Sequence, residues 1–556
     1  MPSFHPSSLI LHPSSLMPLL VAAPESGYGV SITCIHREES IMPAVPLLQV
    51  AVQLRPEDNV AVATVNLAPG TELAIHGDRL TLERRIGLGH KIAIRDIPKG
   101  QAIYKYGQII GFASEAIPAG SHVHVHNVSA DAFERDYAFC RDCPAPPAPA
   151  EPRHFMGYDR GDGRFGTRNY IAIISTVNCS ASTSKYIAER FKATDLLRQF
   201  PNVDGVVPVV HKQGCAMQYD GPDHNQLDRT LAGFAKHPNV AAYLLVGLGC
   251  ETGQAVHLVE HQGLIQLNGS RQKPTVLTIQ ECGGIAKTVE AGVRAIADML
   301  PRVNEARRTR LPASRLILGT NCGGSDGNSG VTANPALGVA SDLLVAQGGT
   351  SIIGETPEIY GAEHLLTRRA VSRQVGEKLV ERIKWWEWYT GIFGAEINNN
   401  PSPGNKEGGL TTIYEKSLGA IAKGGSTALV DVVGYAEPVK AKGFVVMDTP
   451  GYDPVSMTGI VAGGANVLVF TTGRGSVFGC KPAPSIKIAT NTPMYQHMID
   501  DMDIDAGVIL DGTPVEEVGR QIFEEILAVA GGKKTKSELS GVGEEEFAPW
   551  SIGPTL

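Results

Sequence analysis

Between Asn59 and Val128 the chain alternates apolar and polar positions in short runs, each closed by a turn signal: NVAVATVNLAPG, ELAIHG, HKIAIRDIPKGQAIYKYG and IPAGSHVHVHNV. Period-two runs of this length, bounded by glycine and proline, predict short strands, and several in succession predict a small all-β domain. Beyond Pro152 the period changes. Apolar runs of strand length, such as IAIIS and AYLLV, alternate with segments whose apolar positions recur every three to four residues, as in KTVEAGVRAIADML from Lys287 to Leu300. That alternation predicts mostly parallel sheets with flanking helices. The same rhythm runs from about residue 310 to the C-terminus and includes a long helical segment over residues 370 to 388.

The predicted fold is therefore an α/β main body of two subdomains, residues 156–305 and 306–556, preceded by a small all-β domain over residues 50–130. Between them, residues 131–155 contain FCRDCPAPPAPAEP, whose proline density prevents both helix and ladder and predicts an extended linker. Its Cys140 and Cys143 form a lone C-x-x-C; without a second pair nearby they read as linker thiols rather than a zinc site. Residues 1–45 stand apart. HPSSL occurs twice, followed by LMPLLVAA, and no Lys or Arg precedes Arg37, so the charged start of a secretory signal is lacking. This stretch is expected to be a disordered extension, with Met42 a plausible beginning.

Composition narrows the functional classes. The 556 residues are 43% hydrophobic and 19% charged, with a net charge of -8 and no basic stripe, which argues against a nucleic-acid partner. No apolar run reaches the roughly 18 residues that span a bilayer. Nine cysteines at wide spacing suit a reducing cytoplasm rather than a disulfide scaffold.

Six of those cysteines share one context: Cys179, Cys215, Cys250, Cys282, Cys322 and Cys480 each follow a predicted strand. In open parallel sheets ligands bind beyond the carboxyl ends of the strands, so the thiols stand where a site would form, although Cys also fills tight corners as a small apolar residue. His211 and Cys215, in HKQGC, put an imidazole and a thiol on one loop, both ligands for a borderline metal such as iron. The glycine-rich TNCGGSDGNSG lacks the P-loop and dinucleotide patterns and reads as a carboxylate nest or a simple turn. In SHVHVHNV, residues 122, 124 and 126 would share one face of a strand.

The motifs GYDRGDGRFGTRNYIAI, HKQGC, GLGCE, ECGG, NCGGSDGNSG, NKEGGLTTIYEKSLGAI, MDTPGYDPVSMTGIVAGGANVLVFTTGRGSVFGC and PSIKIATNTPMY together resemble the main domain of the altronate and galactarate dehydratase family. The upstream GHKIAIRDIPKGQAIYKYGQIIGFASEAIPAGSHVHVHN is similar to that family's SAF-type β-clip domain. The resemblance implies a cytoplasmic hydro-lyase that converts a hexonic or hexaric acid to a 2-keto-3-deoxy acid, in hexuronate catabolism. The G-T-R-N motif and the short N-terminal domain look more like the altronate branch; galactarate or another sugar acid is the alternative, as is a sugar-acid binding protein without catalysis. It also implies iron(II), with manganese(II) or an iron–sulfur cluster on the cysteines as alternatives. A homo-oligomer is compatible with the sequence.

Removal of the proton beside a carboxylate piles charge onto the carboxylate oxygens, and a cation and positioned donors must stabilise it. On that basis His124 and His126 are expected to bind metal, with His211 and Cys215 as further ligands. His122 is expected to be an exposed neighbour. Arg168, Asn169, Lys481, Asn321 and Ser325 are expected to hold substrate, and Lys406 and Glu407, in NKEGG, to act as base and acid.

Overall fold

The computed structural model describes residues 44–75, 77–148, 151–266 and 273–553. The expected N-terminal extension lies outside the described residues up to residue 43. The N-terminal domain is strand-rich, as its alternation requires. Its central sheet is the antiparallel series β1 (Ala51–Val52), β2 (Val60–Ala63), β3 (Lys91–Ala93) and β4 (His122–Val123). The second region carries a parallel sheet of β5 (Tyr170–Ser175), β6 (Gly205–Val209), β7 (Val240–Gly247) and β8 (Thr275–Thr278), in the order β6-β5-β7-β8. The helix read over Lys287 to Leu300 spans Ile285–Val303, and its apolar stripe of Val289, Ile296 and Leu300 packs on that sheet.

The third region is built on seven parallel strands: β9 (Ile317–Cys322), β10 (Thr350–Ile353), β11 (Leu429–Val433), β12 (Gly443–Met447), β13 (Val467–Thr472), β14 (Ser485–Ala489) and β15 (Ile504–Asp505). Their order is β11-β12-β10-β9-β13-β14-β15. Burial on both faces explains why these strands read as continuous apolar runs rather than alternating ones. The predicted helix near residues 370 to 388 spans Arg373–Ile392, started by Ser372, whose side chain accepts the Val375 N–H. The proline-rich segment is strapped to this region: Cys140 and Asp142 donate backbone N–H groups to the carbonyls of Thr367 and Arg368.

The N-terminal domain has an apolar cluster of its own around Leu73, Leu82 and Ile92, and shares a second one with the third region. Val60, Ile103, Ile110 and Val123 form one apolar cluster with Ile353, Leu379, Val446 and Phe444 of the third region. Within this contact Glu415 is fully buried and takes two ammonium groups, Lys91 Nζ at 2.8 Å and Lys105 Nζ at 2.9 Å, both from the N-terminal domain. Lys91 also donates to the Gly409 carbonyl, Lys105 to the Gly327 carbonyl, and Thr411 to Glu415 Oε2. The backbones meet closely here. A Cβ on Gly327 would lie 1.9 Å from the Gly89 carbonyl oxygen, so no larger residue fits.

Burial alone would raise the Glu415 pKa, but the charges of Lys105 and Lys91 outweigh it and hold the carboxyl well below its usual 4.5. A folded-state value below the unfolded one adds stability that is complete above the unfolded pKa and is lost as the pH falls through the folded one. Glu415→Gln leaves two buried ammonium groups without a counter-charge. It is expected to cost about 3–5 kcal/mol, the usual scale for breaking a buried pair, read as a lower unfolding midpoint in a denaturant titration.

Candidate functional site

The seven-stranded sheet has a topological switch between β9 and β13. On one side of β9 lie β10, β12 and β11, and on the other, beyond β13, lie β14 and β15. Loops that leave adjacent strands in opposite directions open a crevice at their carboxyl ends, and this is where open α/β sheets bind ligands. The crevice here is a cleft of about 660 Å³. Asp326 from the loop after β9, Gly473 and Arg474 after β13, Asn491 and His497 after β14, and Glu407 line one side. Asn66, Arg85, Leu88, His90 and His122 of the N-terminal domain line the other. The Asp326 carboxylate is buried and accepts from Thr490 Oγ1, Ser329 Oγ and Asn491 Nδ2, which fixes the glycine-rich loop against the end of β14. Arg474 Nη2 pairs with Glu407 Oε2 at 2.9 Å at the solvent-facing rim.

Two imidazoles of the N-terminal domain, His90 and His122, line this cleft, and His124 stands beside them. Donor atoms of His90, His122 and His124 lie within 4.8 Å of one another. His90 Nε2 is 3.0 Å from the Glu407 carbonyl oxygen, so it carries the proton and donates. His90 Nδ1 then accepts from His122 Nε2, also at 3.0 Å. His124 Nδ1 is buried with no hydrogen-bond partner. Burial, with His90 next, lowers the His122 pKa to about 3, and burial, with Lys91 next, lowers His124 to about 4. Neutral rings, one oriented by a carbonyl acceptor and one with a buried, unpartnered nitrogen, are donors a divalent cation takes. These residues therefore fit a metal.

A second group lies behind the cleft at the ends of β9 and β10. Cys322, Glu355 and Glu358 bring donor atoms within 4.8 Å, but two ammonium groups already sit on them. Lys423 reaches Glu355 at 3.2 Å and Lys416 reaches Glu358 at 2.8 Å. Burial, with Glu358 next, raises Glu355 to about 8 and Asp453 to about 7. In the second region His224, Asp228 and His257 form a third such group, in which Asp228 Oδ2 lies 3.0 Å from His257 Nδ1.

The structure redistributes the residues singled out from the sequence. SHVHVHNV is not one strand: β4 ends at Val123, and residues 124 to 127 form a turn closed by Asn127, whose Oδ1 accepts the His124 N–H and whose Nδ2 donates to the His122 carbonyl. The turn rotates His126 out to solvent and leaves His122, expected to be an exposed neighbour, half-buried in the triad. His211 is buried with both nitrogens used, Nε2 donating to the Ser175 carbonyl and Nδ1 accepting the Gln213 N–H; burial lowers its pKa to about 4. Cys215 is exposed in the second region, as are Cys179 and Cys250; Cys282 is partly covered there, whereas Cys322 and Cys480 are buried in the third. Four of the thiols thus follow strands of the second region's sheet, Cys322 ends β9, and Cys480 lies just before β14.

Arg168 is buried and consumed by structure. It pairs with Glu538 through Nε and Nη2 and donates to the carbonyls of Thr167, Val529 and Lys533. Asn169 likewise donates to the carbonyls of Asn202 and Val303. Lys481 pairs with Glu544 at 2.8 Å. None of these three lines the cleft. Asn321 donates to Asp453 at 2.9 Å behind it, with its Oδ1 unpartnered, and Ser325 Oγ is buried without a partner beside Asp326. Glu407 lines the cleft, whereas Lys406, on the same short helix Pro403–Glu407, is half-buried and does not. His90, Arg474 and Arg85 also line the cleft and were not singled out from the sequence. His90 precedes Lys91 in a run read only as a strand, and its tie to Glu407 spans 317 residues of chain, so no local pattern carries it.

Comparison with known proteins agrees with this architecture region by region. Residues 49–131 match the altronate/galactarate dehydratase SAF domain, 157–304 the D-galactarate dehydratase/altronate hydrolase second domain, and 313–555 the D-galactarate/altronate dehydratase C-terminal domain. The chain is 36% identical to an altronate dehydratase of Escherichia coli (strain K12) over 501 residues, 90% of this chain and 98% of the relative. It is 34% identical to one of Bacillus subtilis (strain 168) over 91% of this chain and 99% of the relative. It is 39% identical to the L-threo-forming galactarate dehydratase of Escherichia coli (strain K12) over 87% of this chain and 93% of the relative. The chain belongs to the D-galactarate/altronate dehydratase family.

Proposed function

We propose that the cleft between the N-terminal domain and the carboxyl end of the seven-stranded sheet removes water from a hexonic acid, altronate, to give a 2-keto-3-deoxy acid. Membership of the dehydratase family makes the chain a hydro-lyase. The observation that carries the assignment to this cleft is convergence: His90 and His122, with His124 beside them, face an arginine–carboxylate pair across a space of sugar-acid size, at the switch point of the sheet. His90, His122 and His124 are proposed to hold iron(II), or manganese(II), since imidazole suits divalent ions of this kind. A cation held there supplies Lewis-acid stabilisation of charge on the substrate oxygens. The free state of all eight described cysteines fits a reducing cytoplasm as the place of the reaction.

The chain's own groups divide the remaining work. Arg474 has a planar fork that matches a carboxylate, and an incoming substrate carboxylate takes it from Glu407. Glu407, released from that pair, becomes the base that removes the proton beside the substrate carboxylate. The Arg474 charge then stabilises the resulting enediolate. Arg85 and Asn66 offer donors to the hydroxyl chain. A second reading keeps the reaction and changes the acid: the 39% identity to a galactarate dehydratase favours galactarate.

An anaerobic assay with added iron(II) against altronate, galactarate and other aldonic acids is expected to give keto-acid product from altronate. Binding of these acids without product would overturn the assignment. Arg474→Met is expected to lower kcat/KM on the order of 100-fold, the scale for losing one transition-state donor, with an unchanged unfolding midpoint. His122→Ala is expected to lose the bound cation, measured as metal per chain after gel filtration, whereas His126→Ala retains it.

A further inference from the structure

Cys322, the last residue of β9, is 2% exposed, and Lys423, on the single helical turn Ile421–Gly424, is also 2% exposed. Lys423 Nζ stands 2.7 Å from Cys322 Sγ. This is short for a nitrogen donor on sulfur. Donors to oxygen span about 2.7–3.2 Å, and the larger radius of sulfur moves them outward. Elsewhere in the same molecule Gln280 Nε2 meets Cys250 Sγ at 3.5 Å. The Cys322–Lys423 separation is also far too long for a direct sulfur–nitrogen bond. It is the span of two single bonds meeting at one oxygen atom.

The surroundings supply what such a link needs. Glu355 Oε2 is 3.2 Å from Lys423 Nζ and 3.9 Å from Cys322 Sγ. Glu355 Oε1 is buried without a partner, so the carboxylate has an oxygen free to take up the proton released as the link forms. No other described cysteine has a lysine nitrogen in hydrogen-bond contact.

We propose that Cys322 and Lys423 are a modification site: on exposure to dioxygen they become joined through one oxygen, as Cys–S–O–NH–Lys. The thiol S–H bond and two N–H bonds of the ammonium break, and S–O and O–N bonds form. The O–O bond of dioxygen breaks, one oxygen entering the bridge and the other leaving as water. Sulfur and nitrogen each give up two electrons, and dioxygen accepts all four. The remaining proton passes to Glu355. Two equivalents of a dithiol return the four electrons and release the bridging oxygen as water. The link removes the Lys423 charge and ties the end of β9, beside the Asn321–Asp453 pair, to the turn that carries Lys423.

The test is a mass measurement on the full chain, because air also affects any bound iron and turnover alone would confuse the two. Protein prepared without oxygen and then held in air-saturated buffer is digested under non-reducing conditions. The expected product is a joined pair of peptides containing Cys322 and Lys423, heavier than their sum by one oxygen less two hydrogens, and separated by dithiol. Cys322→Ser and Lys423→Arg are each expected to abolish it, the second while keeping a buried cation beside Glu355. Wild-type protein that after exposure yields Cys322 as a free thiol, or as an unlinked sulfinic acid, overturns the proposal.

Discussion

The Glu415 carboxylate, held between Lys91 and Lys105, is the interaction on which the remaining geometry depends. All three side chains are buried, so each charge has lost its water and is tolerated only through the other two and the carbonyls of Gly409 and Gly327. An apolar contact between the N-terminal domain and the third region would stabilise many relative placements equally well. A buried charge triad with fixed hydrogen bonds stabilises one, because any slip leaves an ion unpaired. The backbone contact of Gly89 with Gly327 and Gly409 lets the two surfaces approach closely enough for the triad to close.

That single placement creates the cleft. Lys91 belongs to β3, which pairs with β4 through Lys91 and Val123 and through Ile92 and His122. Fixing Lys91 on Glu415 therefore fixes His90 and His122 over the loops after β9 and β13. The hydrogen bond from His90 to the Glu407 carbonyl completes the link between the two sides. Neither half has the site alone. The third region supplies Arg474, Glu407 and Asp326 at the switch point, and the N-terminal domain supplies the imidazoles. Behind them, the charges of Glu355, Glu358, Lys416 and Lys423 compensate one another at the ends of β9 and β10, which allows so many ionisable groups to be buried in one place.

Much of this was legible in the sequence for reasons of period and punctuation. The change from period-two runs to strand-and-helix alternation near residue 152 marks the passage from β domain to α/β body, and the helices expected from it form over Ile285–Val303 and Arg373–Ile392. Five of the six thiols and the glycine-rich loop after β9 do stand at carboxyl ends of parallel strands, whereas Cys480 lies just before β14. Glu407 does line the cleft. The residues that do not reach the cleft share a cause. Arg168, Asn169 and Lys481 sit in motifs of high specificity, but their side chains hold loops and termini together, and a sequence motif does not distinguish a group that binds substrate from one that binds Glu538.

The SHVHVHNV stretch shows where local reasoning ends. Its amino acids determined that three imidazoles lie close together and that the segment is turn-bounded. Strand periodicity would have made His122 and His126 equivalent, but the Asn127 side chain bonds to the backbone of residues 122 and 124 and turns the chain after Val123, so the two point differently. The third member of the cluster, His90, comes from β-sheet pairing across 32 residues. Sequence by itself determined the element types, the domain order and the family, because these follow from short-range periodicity and contiguous motifs. Which ionisable groups face the cleft and which are spent on structure was decided only by tertiary contacts, since hydrogen-bond partners hundreds of residues apart leave no local trace.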